Sequence, residues 1–260
     1  MLAAGALAAL SVGLFWMERV ALTPSADTDA TYAILGDEDI RLQLANVVSG
    51  ADAAELGVSP AELRDRIEGW ARIRDMSREV RGVVADAHAK LIGEHDGAVT
   101  IASAEQVQLV RSERVALQPP IALPVQRVTV LAWLAVGVTW TWMVAGGLAV
   151  VGLVLGLLLR PERGEVSFAL SATCAAAGAS LAVLGYLVPA FVLPALSSDV
   201  WAGALARLAA RRAATTAIAS AALVVLGAVV FLATTGARQR RARSTPLSVG
   251  RYREQQRWSG

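Results

Sequence analysis

The sequence predicts an all-α membrane protein with four transmembrane helices and a small, mainly helical extracytoplasmic domain that carries a minor two-stranded element. Three observations point there. Over 260 residues, 55% are hydrophobic and 18% are charged, where a soluble domain carries about 25% charged residues. The apolar residues are clumped: Met1–Met17, Val128–Leu159, Val166–Ser198 and Ala213–Ala237 contain no Asp, Glu, Lys or Arg, and a helix needs ~20 such residues to cross a bilayer. Between the first two runs lies a stretch of ordinary globular composition with helical periodicity. Intrinsic disorder and a collagen-like chain are excluded by the same composition.

The first span is expected over residues 1–17. It has no basic residue before it and ends on bulky Phe15 and Trp16. A cleaved signal peptide needs a charged start and small residues at its end, so the run reads as a retained signal-anchor. A start placed too late in the chain would equally explain the missing charges.

Residues 18–138 are expected to form the extracytoplasmic domain. Asp37–Val48 places Ile40, Leu44, Val47 and Val48 on one helix face. Ser59 and Pro60 start another helix, with Glu62 completing a capping box, and Leu63, Ile67 and Trp70 form its apolar stripe. Met76, Val80, Val83, Val84, Ala87 and Leu91 keep helical spacing for about four turns, which predicts one helix over 76–91. Ala98–Ala102 reads as a short strand and Val107–Arg114 as a further helix. Val128–Leu131 is β-branched and is expected to pair with Ala98–Ala102. Pro119, Pro120 and Pro124 stiffen the approach to the membrane.

The second span is set at 139–160, because Trp140 and Trp142 suit a membrane–water interface. The third covers 166–192, its outer end marked by Pro189 and Pro194. Residues 197–212 read as an outer amphipathic helix capped by Ser198, either lying on the membrane or extending the fourth span over 213–236. Trp201, Leu205 and Leu208 share a face of it. Residues 237–260 form a basic tail with seven arginines and one glutamate.

Net charge is +2, yet residues 18–127 hold 18 acids and 12 bases. The basic excess therefore flanks the spans and gives no basic face for nucleic acid. Lys and Arg accumulate on the cytoplasmic side. This places the tail and the Arg160–Arg163 loop inside, both termini in the cytoplasm, and 18–127 outside, in a bacterial plasma membrane. Arg207, Arg211 and Arg212 then stand against the rule, on the outer side.

Small residues recur where helices can approach closely: Gly152 and Gly156 in the second span, Ser167, Ser171, Ala175 and Ala179 in the third, and Ala213, Ala217 and Ala221 leading into the fourth. They read as packing among the chain's own spans, or as a face for a partner's helices. Arg238, Arg240, Arg241 and Arg243 sit where anionic lipid would meet them; Arg251–Trp258 offers an alternative protein-docking segment. Cys174, the single cysteine, reads as a small buried hydrophobe.

No GxSxG, P-loop, GxGxxG, CxxC or HExxH pattern occurs, and no ionisable residue lies deep in a span, as ion-coupled transport would require. His88 and His95 are weak metal candidates, two turns apart if a helix continued; the competing reading is two solvated surface histidines. Asp37, Glu38 and Asp39, with Asp27 and Asp29 nearby, can hold a hard cation or complement a helix start. No cofactor is expected.

The segments Arg74–Val80, Asp86–Leu91, Gly97–Ile101 and Trp140–Arg163 together resemble a broad group of uncharacterised actinobacterial four-span membrane proteins with an extracytoplasmic helical domain between the first and second spans. That resemblance implies a layout and carries no catalytic residue. The expected function is a non-enzymatic accessory or scaffolding subunit of a bacterial cell-envelope assembly, in contact with membrane lipids and membrane-protein partners and with no nucleic acid. The alternatives are a component handling lipid or another apolar ligand in an envelope transport system, with the domain's apolar helices forming a cleft, and a metal-dependent envelope enzyme at His88 and His95.

Overall fold

A computed structural model describes residues 1–159 and 163–244, with side chains over 1–159 and 165–235. The side chains of Arg160, Arg238, Arg240, Arg241 and Arg243, and the segment 251–258, lie outside the described residues. Helix dominates, and four helices are long and apolar enough to cross a membrane.

The first, α1 (Leu2–Met17), does not stop at Met17 but widens into a π-helical turn over Glu18–Leu22. Six helices then build the interspan domain: α2 (Thr28–Ile34), α3 (Glu38–Leu56), α4 (Pro60–Ala71), α5 (Arg74–Glu79), α6 (Arg81–Leu91) and α7 (Ser103–Val110). Their starts follow local chemistry. The Asp27, Asp37 and Ser59 side chains accept the backbone N–H of Asp29, Asp39 and Glu62, each satisfying a donor that the helix leaves free. Glu62 does not return the bond of a capping box; its carboxylate pairs with Arg66 one turn on.

Two expectations for this domain are corrected. The stretch 76–91 is not one helix: at Val80 the backbone turns to φ −100°, ψ 10° and separates α5 from α6. Helical spacing survives the break because Met76, Val80, Val83 and Val84 all point into one core; periodicity reports the buried side and not a straight axis. The strand partner also differs. β1 (Thr100–Ile101) pairs antiparallel with β2 (Ile121–Ala122), Thr100 opposite Ala122 and Ile101 opposite Ile121. Val128 instead precedes the first residue of α8 (Thr129–Leu158), and its N–H donates to the Leu91 carbonyl at 3.1 Å. The β-branched run is helical because it belongs to a long helix seated on the domain.

α8 begins at Thr129, so residues 129–138, assigned from sequence to the domain, continue the second spanning helix. Its 30 residues give a rod about 45 Å long, which exceeds the ~30 Å hydrocarbon thickness. The third spanning helix, α9 (Arg163–Ala182), also runs past its expected end. It widens into a π-helical segment over Val183–Val192 that contains Pro189, and closes with α10 (Leu193–Ala195). Proline lacks an N–H and crowds the carbonyl one turn back; the wider turn accommodates both. The segment 197–212 is not a separate amphipathic helix. A 3₁₀ turn, Val200–Ala202, is capped by Asp199 rather than Ser198, and α11 (Gly203–Ser244) follows without interruption.

The four spanning helices alternate in direction, and their extensive contacts follow the order α8–α1–α9–α11. They form a row. Gly152 and Gly156 of α8 meet Ala4 and Met1 of α1: a Cβ on either would lie 2.9 Å from those side chains. Gly185 admits Trp16, whose indole N–H donates to Thr216 Oγ1 at 2.9 Å. Between α9 and α11, Ser220 Oγ donates to the Gly178 carbonyl at 2.7 Å.

At the domain end the cores merge. Leu14 and Met17 of α1, Leu131 and Val138 of α8, Leu193 of α10, and Trp201 and Leu205 belong to the same hydrophobic cluster as Ile40, Leu44, Ile67, Val84 and Leu91. α3 packs on α4, and both α3 and α6 meet the 3₁₀ turn that precedes α11.

A Cβ at Gly178 would lie 2.8 Å from the Ser220 carbonyl oxygen and 2.7 Å from a Val224 methyl, whereas one at Gly147 meets nothing within 4 Å. Gly178→Ala is therefore expected to destabilise the protein by ~1–3 kcal/mol through overpacking. Gly147→Ala should be neutral or slightly stabilising, since alanine is the better helix former. Thermal midpoints of both variants in one detergent decide it; a Gly178→Ala protein as stable as Gly147→Ala would contradict this packing.

Candidate functional site

Two polar sites are built where the spanning helices enter the domain. The first fastens α11 to the starts of α2 and α3. Asp37 uses Oδ1 to cap α3 and Oδ2 to accept from Arg207 Nε at 3.1 Å. Asp27 uses Oδ1 to cap α2 and Oδ2 to accept from Arg211 Nη2 at 2.5 Å. Arg74 pairs with Asp29. The hydrogen bond from Arg211 holds the Asp27 carboxyl below the usual carboxylate range. Asp199 does the same double duty: Oδ1 caps the turn before α11 and Oδ2 accepts the Gln126 N–H at 2.9 Å. Of the acids singled out as a cation site or helix caps, Asp27 and Asp37 are caps that also pair with arginines, Asp29 pairs with Arg74, and Glu38 and Asp39 sit in the first turn of α3. Arg207 and Arg211 stand beside the domain because its carboxylates balance them.

The second site is a pocket of about 270 Å³ at the joint of α1, α6 and α8, lined by Glu18, Leu22, Gly93, Glu94, Arg127, Trp133, Val136 and Thr139 among others. Gly93 places it. Its φ of +83° ends α6 in the left-handed region, and a Cβ there would lie 2.5 Å from that of Ala132. Only glycine gives both the turn and this close seat of α6 on α8. The turn delivers Glu94 to the pocket. Glu94 is exposed at the pocket edge; partial desolvation of its carboxyl, and then the charge of Glu18, push it up. Glu18 sits on the π-helical turn and accepts from Thr139 Oγ1 at 2.8 Å and from the Trp142 indole. Arg127 Nη1 donates to Asp96 at 2.8 Å at the rim.

His88 is not a solvated surface residue. It is buried, and Nε2–H donates to the Ala21 carbonyl in the π-helical turn at 2.9 Å. A carbonyl only accepts, which sets the tautomer. Burial pushes His88 down to about 4, against the opposing pull of that bond. Gly93 ends α6 before His95, whose ring lies by Gly97. The two imidazoles are not brought together, and no group of three or more His, Cys, Asp or Glu among the described residues is arranged for a metal ion.

The small residues fall in three places. Gly152 and Gly156 lie on the α1–α8 contact. Ser171 is buried, and its carbonyl lies 2.8 Å from where a Cβ on Gly227 of α11 would be, with the Ala175 backbone N at 3.2 Å. Ser167 is half-buried on the same helix and Ala179 is exposed. Ala213, Ala217 and Ala221, with Tyr186, Leu187 and Val224, line an open apolar groove of about 770 Å³ between the third spanning helix and α11. Cys174 is half-buried in the α9–α11 contact. Sequence reading missed Glu18 and Glu94 as a pair. Their only sequence signal is a lone acid at the end of an apolar run and another beside a helix-ending glycine. Comparison of the chain with known protein families, curated proteins and solved structures finds no match.

Unfolded histidine takes up a proton near pH 6.5, whereas folded His88 resists protonation down to about 4. Its stabilising contribution is therefore complete above pH 6.5 and is lost as pH falls through that window. About 3 kcal/mol is at stake by pH 4. Thermal melts of the wild-type chain from pH 7 to 4 should show this decline. The profile should flatten in His88→Asn, which keeps a donor and does not titrate; identical profiles for the two proteins would refute the assignment.

Proposed function

We propose that the chain is a non-enzymatic accessory or scaffolding subunit of a bacterial cell-envelope membrane assembly. The observation that supports this most directly is the open row of spanning helices. The middle helices, α1 and the third, bury 44% and 33% of their most apolar stretches within the protein, and the edge helices α8 and α11 bury 11%. In lipid, helices associate where small residues permit close packing and not from any gain in apolar burial. The α11 flank bearing Ala213, Ala217 and Ala221 has that composition and opens on the groove. A partner's helix suits it. The domain, meanwhile, is fused to the helix ends through one core and pinned by Asp27–Arg211 and Asp37–Arg207, which suits a part that holds others at a set height above the membrane.

In this reading the domain faces away from the cytoplasm and both termini lie inside. The arginine-rich tail supports that orientation. Arg207, Arg211 and Arg212 lie on the outer side in this reading, three against the seven arginines of the tail.

A photo-reactive residue at Ala217, on the groove, should give a discrete protein adduct in cells, while one at Ile218, 70% exposed and outside the groove lining, should give lipid adducts. Lipid adducts alone from both positions would overturn the scaffolding role. For orientation, protease added to spheroplasts should cut within residues 18–127 and spare the tail; the reverse pattern would invert the topology.

A further inference from the structure

We propose that the pocket at the joint of α1, α6 and α8 binds the head group of an aminophospholipid from the adjoining leaflet, with the phosphate on Arg127 and the primary ammonium between Glu18 and Glu94. The proposal goes beyond the scaffolding role and does not depend on it; it requires only that α8 crosses a bilayer.

Depth is the first argument. The pocket is lined along α8 by Ala132, Trp133, Val136 and Thr139, and Trp133 and the adjacent Trp140 are 75% and 66% exposed. Exposed tryptophans of a spanning helix settle at the head-group level. The cavity therefore opens where head groups lie and not in the hydrocarbon. Below it, Met143, Val144, Val150 and Val151 continue as an exposed apolar flank, a surface for acyl chains.

Charge is the second. Two carboxylates and one guanidinium line the same cavity. A bare anion would meet Arg127 but also both carboxylates, and a bare cation would meet Arg127 as a like charge. A zwitterion satisfies both signs. Arg127 gives Nη1 to Asp96, and the rest of its planar donor set suits phosphate oxygens; a primary ammonium donates three N–H bonds, enough to bridge two carboxylates. That bridge would relieve the repulsion between Glu18 and Glu94.

Pre-organisation is the third. Glu18 is held by Thr139 and Trp142, Arg127 is steadied by Asp96, and Gly93 fixes the turn before Glu94. About 270 Å³ accommodates a head group and not whole acyl chains. A π-helical turn at the site fits a pattern in which such irregularities accompany binding sites.

The test uses the full-length protein in nanodiscs of equal parts phosphatidylethanolamine, phosphatidylcholine and phosphatidylglycerol, with retained lipid identified by native mass spectrometry. Phosphatidylethanolamine should be enriched about tenfold over the other two, the worth of one charge-assisted hydrogen bond. The choline lipid has the same charges but no N–H to donate, and the glycerol lipid has no cation. Glu94→Gln, at the pocket rim and outside the core, should abolish the enrichment, and Arg127→Ala should lower retention of all three lipids, each while leaving the thermal midpoint within a few degrees of wild type. Equal retention of the three lipids overturns the proposal. So does preference for phosphatidylglycerol, which would make this an anion site, or for phosphatidylcholine. An enrichment that survives Glu94→Gln, or retention unchanged in Arg127→Ala, would place the lipid elsewhere and overturns it too.

Discussion

The hydrophobic core of the interspan domain has no floor of its own; the ends of the spanning helices supply it. Trp201 is fully buried, and with Leu205, Met17, Leu131 and Leu193 it joins the core of α3, α4 and α6 in one cluster. Apolar surface on both parties leaves water only when they are joined. The domain and the helix row therefore form one packing unit. The first turns of α8 and α11 give Leu131, Val138, Ala204, Leu205 and Leu208 to that core.

Polar groups at such a joint must be satisfied locally, because neither lipid nor bulk water reaches all of them. Shared carboxylates meet much of this need, although the Trp201 indole N–H is buried without a partner. Asp27, Asp37 and Asp199 each give one oxygen to a helix start and the other to a second element. His88 works similarly from the other side, closing the Ala21 carbonyl that the π-helical turn exposes. Glu18 is held by neutral donors alone, which leaves its charge available to a ligand, whereas the charge of Asp27 is spent on Arg211.

Within the membrane the rules change. Close approach, set by glycine and serine, replaces apolar burial as the organising term. Gly178 and Gly227 bring α9 and α11 into backbone contact, and Gly185 lets Trp16 cross to Thr216. Ala213, Ala217 and Ala221 of α11 line an open groove beside that contact, and the spanning helices stand in a row with open edges. An assembly role and a lipid site both draw on those edges, from α11 and α8 respectively.

Much of the fold was legible in one dimension. Charge-free runs located four spanning helices, and Ser59–Pro60 and Asp37 marked helix starts, because these signals act between residues close in sequence. The core faces of α3, α4 and α6 were equally plain, since a buried side leaves a period whatever it packs against. What sequence could not decide were choices made by distant neighbours. Val128–Leu131 became helix because Leu91 and the α8 axis claimed it. Residues 76–91 broke at Val80 without breaking their period, and Pro189 was absorbed by a wider turn instead of ending a helix. His88, hydrophilic by type, was buried because Ala21, far away in the chain, offered a carbonyl. The pairing of Glu18 with Glu94 and of Arg211 with Asp27 was likewise invisible, since only the closure of the domain onto the helix ends brings those charges within reach of one another.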